Sequence, residues 1–306
     1  MRIFNHKKMV VTLAITGIMT TTAFTNEVTS AAQTDTNVSV NVSVKKETKT
    51  NIINWYKGSD SDIIADGIGR SGGKGMAMAR MAAIMDAQRN LLGIIKGVQI
   101  DSDTLMQDLI IESDTVKRNI SGLLRGAQII EEGERDNEEY YVKMRVPLYG
   151  ATDSLASIIM PEIRQNRNPQ PFPKVNESDL TEKEIQEVKS AGYTGVVINA
   201  DGLNMDPTFS PVIYDTDGRA IYGVENLNYD KVIAEGMVDY SESLDGASED
   251  GRAGDNPLVI EAVEVTGGDN STNKVNAVIS VKDADKLLLA NEETGMLEDT
   301  SVVFIK

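Results

Sequence analysis

The chain has 306 residues, enough for one large domain or two ordinary ones, and a formal charge of −17 from 47 acidic and 30 basic residues. Such an acidic balance repels nucleic acid and anionic lipid, both of which need a cationic surface. Cysteine is absent and the single histidine is His6, which removes Ser-His and Cys-His catalysis and the usual ligands of zinc, copper or iron sites.

The N-terminus reads as a secretory leader. Arg2, Lys7 and Lys8 precede an apolar run from Met9 to about Phe24, and Ser30 and Ala32 fit the −3 and −1 positions of a cleavage site. The run is too short and too rich in threonine for a comfortable membrane span, and no cysteine follows it to carry a lipid. Cleavage after Ala32 removes three basic and one acidic residue and leaves 274 residues at a formal −19. His6 leaves with the leader, so the exported chain is expected to carry no imidazole and no thiol. An uncleaved N-terminal anchor is the alternative reading of residues 1–32. Residues 33–50 are polar, with valines alternating at 38, 40, 42 and 44, and read as a linker that can contribute an edge strand.

The first domain is expected over residues 51–165. Its loop "GIGRSGGKG" places Gly67, Gly69 and Gly72 in a G-x-G-x-x-G pattern. A dinucleotide fingerprint needs a buried strand feeding that turn, and only Ile63, Ile64 and Ala65 are on offer. A Walker loop needs lysine where Gly73 stands and Ser or Thr where Gly75 stands. The glycines are therefore expected to form a flexible turn that lets a helix pack closely. Apolar residues at 76, 79, 83, 87, 91, 94 and 95 predict that helix. Met78, Met81, Ala82 and Met85 extend its apolar surface, so its first half is expected to be deeply buried. A short strand near "VQI" follows, then a second helix, or a strand plus helix, between Thr104 and Leu124. A β-hairpin comes next, with strands at 127–132 and 139–146 and a turn near Asp136-Asn137. Prolines at 169, 171 and 173 mark residues 166–190 as a stiff connector that ends in a capped helix. Thr181 and Glu184 fit a capping box, Leu180 and Ile185 a hydrophobic staple, and Gly192 a helix stop.

The second domain, 191–306, is expected to be α+β as well. Strands are predicted at 194–200, in a hairpin over 211–223 around Asp217-Gly218, in "PLVIEAVEV", in "NAVISV" and in "TSVVFIK". Helices are predicted in "NYDKVIAEG" and "DADKLLLANEETG". The expected fold class is thus α+β, with two domains of helices packed on small, mainly antiparallel sheets.

Candidate chemistry is thin. Ser71 and Lys74 match S-x-x-K, but two glycines lie between them, and "STN" at 271–273 has no K-T-G companion. "DTDG" at 215–218 begins like a calcium loop, yet Arg219 occupies the fifth position and Asn226 the twelfth, where glutamate is expected. A hairpin turn accounts for it better. The acidic stretches 58–62 and 248–255 could hold calcium through carboxylates and carbonyls. Trp55-Tyr56 is expected in the core or at its rim. No carboxylate pair stands out for glycoside hydrolysis. The reading therefore names no catalytic residue, no cofactor and no cofactor-binding residue, and leaves metal ligands unknown.

The first domain also carries a resemblance. Trp55, Ala79-Arg80, Ala82-Ala83, Asp86-Ala87, Leu124 to Gly126 and Tyr140 to Val142 give an order of features over roughly 52–147. This order resembles the bacterial LPP-type outer-membrane lipoprotein family and is similar to the N-terminal domain of flagellar assembly protein T. The resemblance implies an α+β scaffold, an envelope or surface location, and outer-membrane or flagellar partners, with no catalytic constellation to transfer. The missing lipobox cysteine departs from it. "NPLVIEA" and "NAVISVKDADKLL" also look like a companion domain of exported bacterial proteins. The expectation is a non-catalytic exported envelope protein, periplasmic or outer-membrane associated, with no membrane span after cleavage. A calcium- or small-ligand-binding protein is the alternative, and a carboxylate-dependent cell-wall hydrolase the reserve.

Overall fold

A computed structural model describes residues 52–55, 60–166, 168–267 and 273–306. The expected leader and the polar linker, residues 1–50, lie outside the described residues. Strands β1 (Ile52–Asn54), β2 (Asp62–Arg70), β3 (Gln128–Arg135) and β4 (Glu139–Pro147) form an antiparallel sheet in the order β1-β2-β4-β3. The β3–β4 hairpin turns through Asn137 and Glu138 at φ 64° and 59°, a left-handed pair that suits the twist of the strands. Helix α1 (Met76–Lys96) lies across this sheet and buries Ala79, Ala83, Ala87, Leu91 and Ile95, each four residues after the last. The expected strand at "VQI" is a single bridge, Gln99 to Leu105, and the segment before Leu124 is two helices, α2 (Met106–Glu112) and α3 (Asp114–Arg125). Ser113 separates them because its hydroxyl accepts the Val116 N–H and caps α3. Helix α4 (Leu155–Asn166) lies where the sequence reading placed no element.

The connector is pinned rather than free. Gln170 N–H donates to the Glu225 carbonyl, Asn226 Nδ2 donates to the carbonyls of Gln170 and Pro171, and the Phe172 ring stacks near Tyr222. Helix α5 (Glu182–Ala191) starts on the expected capping box, Thr181 Oγ1 accepting the Glu184 N–H while Glu184 accepts from Thr181, and stops at Gly192 with φ 62°.

The remaining strands require one correction. The α+β class holds, but the C-terminal half is not mainly antiparallel. Strands β8 (Asp239–Ser241), β12 (Val302–Ile305), β5 (Gly195–Asn199) and β9 (Pro257–Glu261) form a wholly parallel sheet in that order. Its central strands, "GVVIN" and "VVFI", are buried on both faces, the pattern of parallel strands covered on both sides. A second sheet, β10 (Glu264–Thr266), β11 (Asn276–Ile279), β6 (Ile213–Asp215) and β7 (Ala220–Tyr222), is mixed, with β11 parallel to β6. The run "PLVIEAVEV" is therefore two strands in two sheets, since the chain changes sheet at Ala262-Val263. Helices α6 (Tyr229–Glu235), α7 (Leu244–Asp250) and α8 (Val281–Thr294) complete the half.

Residues Thr48–Lys306 form one compact unit, and one hydrophobic cluster runs from Trp55 and Leu91 through Phe209 to Phe304. Trp55 meets Phe209 and Tyr240 edge-on at 5.4 and 6.2 Å. Thr208 Oγ1 and Phe209 N–H both donate to the Gln99 carbonyl, and Ser210 N–H donates to that of Ile100. The "VQI" segment thus serves as a ledge on which the later half docks.

Candidate interaction surface

The glycine loop resolves into two separate devices. Gly67 and Gly69 lie within β2, which runs well beyond Ala65, and both face α1. A Cβ on Gly69 would stand 2.1 Å from the Ala79 carbonyl oxygen, so only glycine lets the helix backbone come this close. Gly72 and Gly73, at φ 52° and 78°, form the turn that follows, with nothing within 4 Å of an added Cβ. Ser71 Oγ donates to Glu138 Oε2 at 2.6 Å and accepts the Gly73 N–H, while Lys74 is exposed. The S-x-x-K hydroxyl therefore addresses a carboxylate across the sheet and not the lysine.

The acidic motifs are likewise occupied. Asp215 closes the β6–β7 hairpin: Oδ1 accepts the N–H groups of Asp217 and Arg219, and Oδ2 accepts Arg219 Nε at 2.8 Å. Arg219 continues to Asp285 Oδ1 at 3.0 Å and to the Lys174 carbonyl, and Asp285 Oδ1 also accepts the Asn176 N–H. This half-buried guanidinium, held between the buried Asp215 and Asp285, clamps the proline-rich connector to α8. Within 248–255, Arg252 turns inward and donates to Asp239 Oδ1 (2.8 Å), to Thr300 Oγ1 and to the carbonyls of Glu235, Gly236 and Thr300. Of 58–62, residues 58 and 59 lie outside the described residues. Asp62 sits 3.6 Å from Arg145 Nε, and its burial raises its pKa above the ordinary carboxylate value against the opposing pull of Arg145. Of 271–273, only Asn273 is described, donating to Gln99 Oε1 at 2.6 Å. Among the described residues, no group of three or more His, Cys, Asp or Glu side chains is arranged to hold a metal ion.

The sequence reading did not mark a hollow of about 380 Å³ at the carboxyl end of β8. Tyr240, Ser241, Ser243, Gly246 and Glu249 line it, at the end of a parallel sheet where α/β folds place their clefts. The signal that hid it was the sheet direction, which the local sequence does not carry.

Exposed apolar side chains gather on the first half. Met78, Met81 and Met85 of α1, Ile68 of β2, Ile111 of α2 and Ile129 and Ile130 of β3 all face solvent. The expectation that the first half of α1 is deeply buried is therefore corrected. One stripe of alanines packs on the sheet, and the methionines stand on the opposite side. Strand β3 is the outer strand of its sheet and is exposed along almost its whole length. At the other edge, the described residues of β1 cover β2 as far as Ile64. Past that point, Asp86 Oδ2 accepts the Ile68 N–H and Asn90 Nδ2 donates to the Asp66 carbonyl. Helix α1 thus takes up hydrogen-bonding groups of β2 that a further strand would need. The two edges differ: α1 guards β2, while β3 has no such cover among the described residues.

No helix among the described residues is long and apolar enough to cross a membrane. Residues 195–306 match the family described as Treponema pallidum Tp0624, second domain, a bacterial domain. The match begins at β5 and takes in none of the first sheet. No curated protein matches the chain.

Proposed function

We propose that the protein is a non-catalytic exported bacterial envelope protein that works as a structural or protein-interaction module through its first sheet. The observation that carries this reading is the outer edge of β3, an eight-residue strand that pairs on one side only among the described residues and exposes Ile129 and Ile130. Such an edge accepts a strand from a partner, with main-chain hydrogen bonds for affinity and alternate side chains for specificity. The resemblance of residues 52–147 to LPP-type lipoproteins and to the N-terminal domain of flagellar assembly protein T supports an envelope partner, outer-membrane or flagellar. The leader-like N-terminus and the bacterial domain matched at 195–306 support the same setting. The lack of histidine and cysteine beyond position 6 favours a module over a catalyst.

A photo-crosslinking residue in place of Ile130, tested in intact cells beside one in place of Val263, distinguishes the outcomes. A discrete adduct at position 130 and none at 263 is expected. Equal adducts at both positions, or substrate turnover by the purified protein, overturns the reading.

A further inference from the structure

Strand β3 reads QIIEEGER, and its pairing with β4 assigns its two faces. Gly67 faces α1 and pairs with Val142, so Ile129, Glu132 and Glu134, which stand opposite Met144, Val142 and Tyr140, lie on the α1 side. Gln128, Glu131, Gly133 and Arg135 lie on the other side. The cations at this edge turn inward. The Arg135 guanidinium lies 4.1 Å over the Tyr141 ring. Lys143 reaches Glu131 Oε2 at 3.2 Å with its own side chain 9% exposed, whereas that of Glu131 is 61% exposed. Arg80 donates to both oxygens of Glu132 from α1. Glu134 and Asp136 are exposed and make no ion pair among the described residues. A chain approaching β3 from outside therefore meets an acidic rim, with Ile129 and Ile130 at its start.

An edge of this kind pairs with other edges, that of a second copy included. Charge disfavours that partner. Two β3 strands paired antiparallel from end to end would set each Glu131 opposite the other copy's Glu132, and like charges directly opposite destabilise a sheet. The acidic rim therefore selects as well as guards. A strand that carries cations at this part of the edge gains cross-strand ion pairs, while an acidic strand meets repulsion. At the start of β3 the requirement changes, because Ile129 and Ile130 are 36 and 44% exposed and only apolar side chains would take them out of water.

We propose that the partner of the β3 edge is a basic extended segment of another protein, apolar where it passes Ile129 and Ile130 and carrying Lys or Arg where it passes Glu131 and Glu134. This rests on the edge-docking reading above and adds to it the chemistry of the partner. Main-chain hydrogen bonds hold the segment, and the change from apolar to acidic along β3 fixes its direction and register.

Three fluorescent peptides probe this in the full chain at about 0.15 M salt, where distant charges are screened. The first, Thr-Lys-Thr-Thr-Lys-Val-Val-Thr, is written for antiparallel pairing with β3. The second has Glu for each Lys. The third keeps the lysines and has Pro for each Thr and Val, which preserves the charge and removes ladder donors. Binding is read by anisotropy and located by amide exchange over residues 128–135. The first peptide is expected to bind and to slow exchange in β3, the third to bind about tenfold or more weakly, and the second not to bind. Glu134→Gln breaks no ion pair described above and should weaken the first peptide about threefold, with an unchanged melting curve. Unaltered affinity in that variant, equal binding of the proline peptide, or protection away from β3 overturns the proposal. So does a crosslinked dimer of this chain at position 130. Equal protection of β3 by the Lys and Glu peptides overturns the charge preference and leaves edge docking standing. Failure of all three peptides beside a discrete adduct at position 130 in cells overturns the basic partner alone; failure of both removes the edge reading with it.

Discussion

Gly67 lies beneath the Ala83 carbonyl so closely that a Cβ on it would stand 2.1 Å from that oxygen and 2.3 Å from the Ala87 nitrogen. Both obstacles are backbone atoms of α1, so no side chain can move aside. Gly67→Ala is expected to cost about 3 kcal/mol or more, because the whole helix must lift off β2. Gly72→Ala meets no neighbour and should cost only the left-handed strain, about 1 kcal/mol. Urea unfolding of the two variants tests the contrast. Equal losses would mean that the loop, and not the helix–strand contact, is what the glycines serve.

Arg252, its side chain 11% exposed, meets five acceptors, and its partner Asp239 is buried. Arg252→Ala takes the guanidinium away from Asp239, Thr300 and the carbonyls of Glu235 and Gly236, and should cost about 3–5 kcal/mol. Arg252→Lys keeps the charge but cannot span the same acceptors, so it should recover only a minor part. Thermal melts of both variants check this, and full recovery by lysine would reduce the cluster to a simple charge pair.

Glu184 is held down to about 2 by Lys282, aided by hydrogen bonds from Thr181. Its folded value lies below the ordinary 4.5, so its contribution is complete above pH 4.5 and is lost as pH falls toward 2. Glu184→Gln should therefore lower the melting temperature at pH 7 and leave it nearly unchanged near pH 2. A difference that persists at acid pH would argue for packing rather than charge.

Asp62 has the opposite sign. Burial raises its folded pKa above 3.8, so the folded state holds the proton more tightly than the unfolded chain does. Stability falls as pH rises from 3.8 through the folded value, and the cost persists above it. Asp62→Asn is expected to be more stable than the parent at pH 7, with the advantage gone below pH 3.8. A destabilised variant at neutral pH would mean that the ion pair with Arg145 outweighs the burial.

Asp86 and Asn90 hold the part of the β2 edge that no described strand covers. Replacing both by alanine frees the Ile68 N–H and the Asp66 carbonyl for water or for another strand. Faster hydrogen exchange at the Ile68 amide is expected, together with self-association that rises with protein concentration in sedimentation. Unaltered exchange at Ile68 would show that α1 does not guard this edge.

Local signals were legible where the chemistry is local. The capping box of Thr181 and Glu184, the stop at Gly192 and the Asp217-Gly218 hairpin each form from atoms a few residues apart, and each lies where the sequence placed it. The α1 periodicity was legible too, and its face holds the buried Ala79, Ala83, Ala87, Leu91 and Ile95, but not that Met78, Met81 and Met85 stay in solvent. Alanine and methionine both count as apolar in a periodicity reading. Only the close approach at Gly67 and Gly69 selects the small ones for the sheet and leaves the large ones in solvent.

The amino-acid order alone determined the α+β class, most of the helices and hairpins, and the absence of cysteine and of any histidine beyond position 6. These depend on composition and on contacts a few residues long. Tertiary structure decided the rest. Strand β12 pairs with β5 and β8 from far along the chain, and direction and partner in such a sheet are set by which buried faces meet. The inward turn of Arg252 and the clamp of Arg219 on the connector were settled in the same way, by burial that no short stretch of sequence can show.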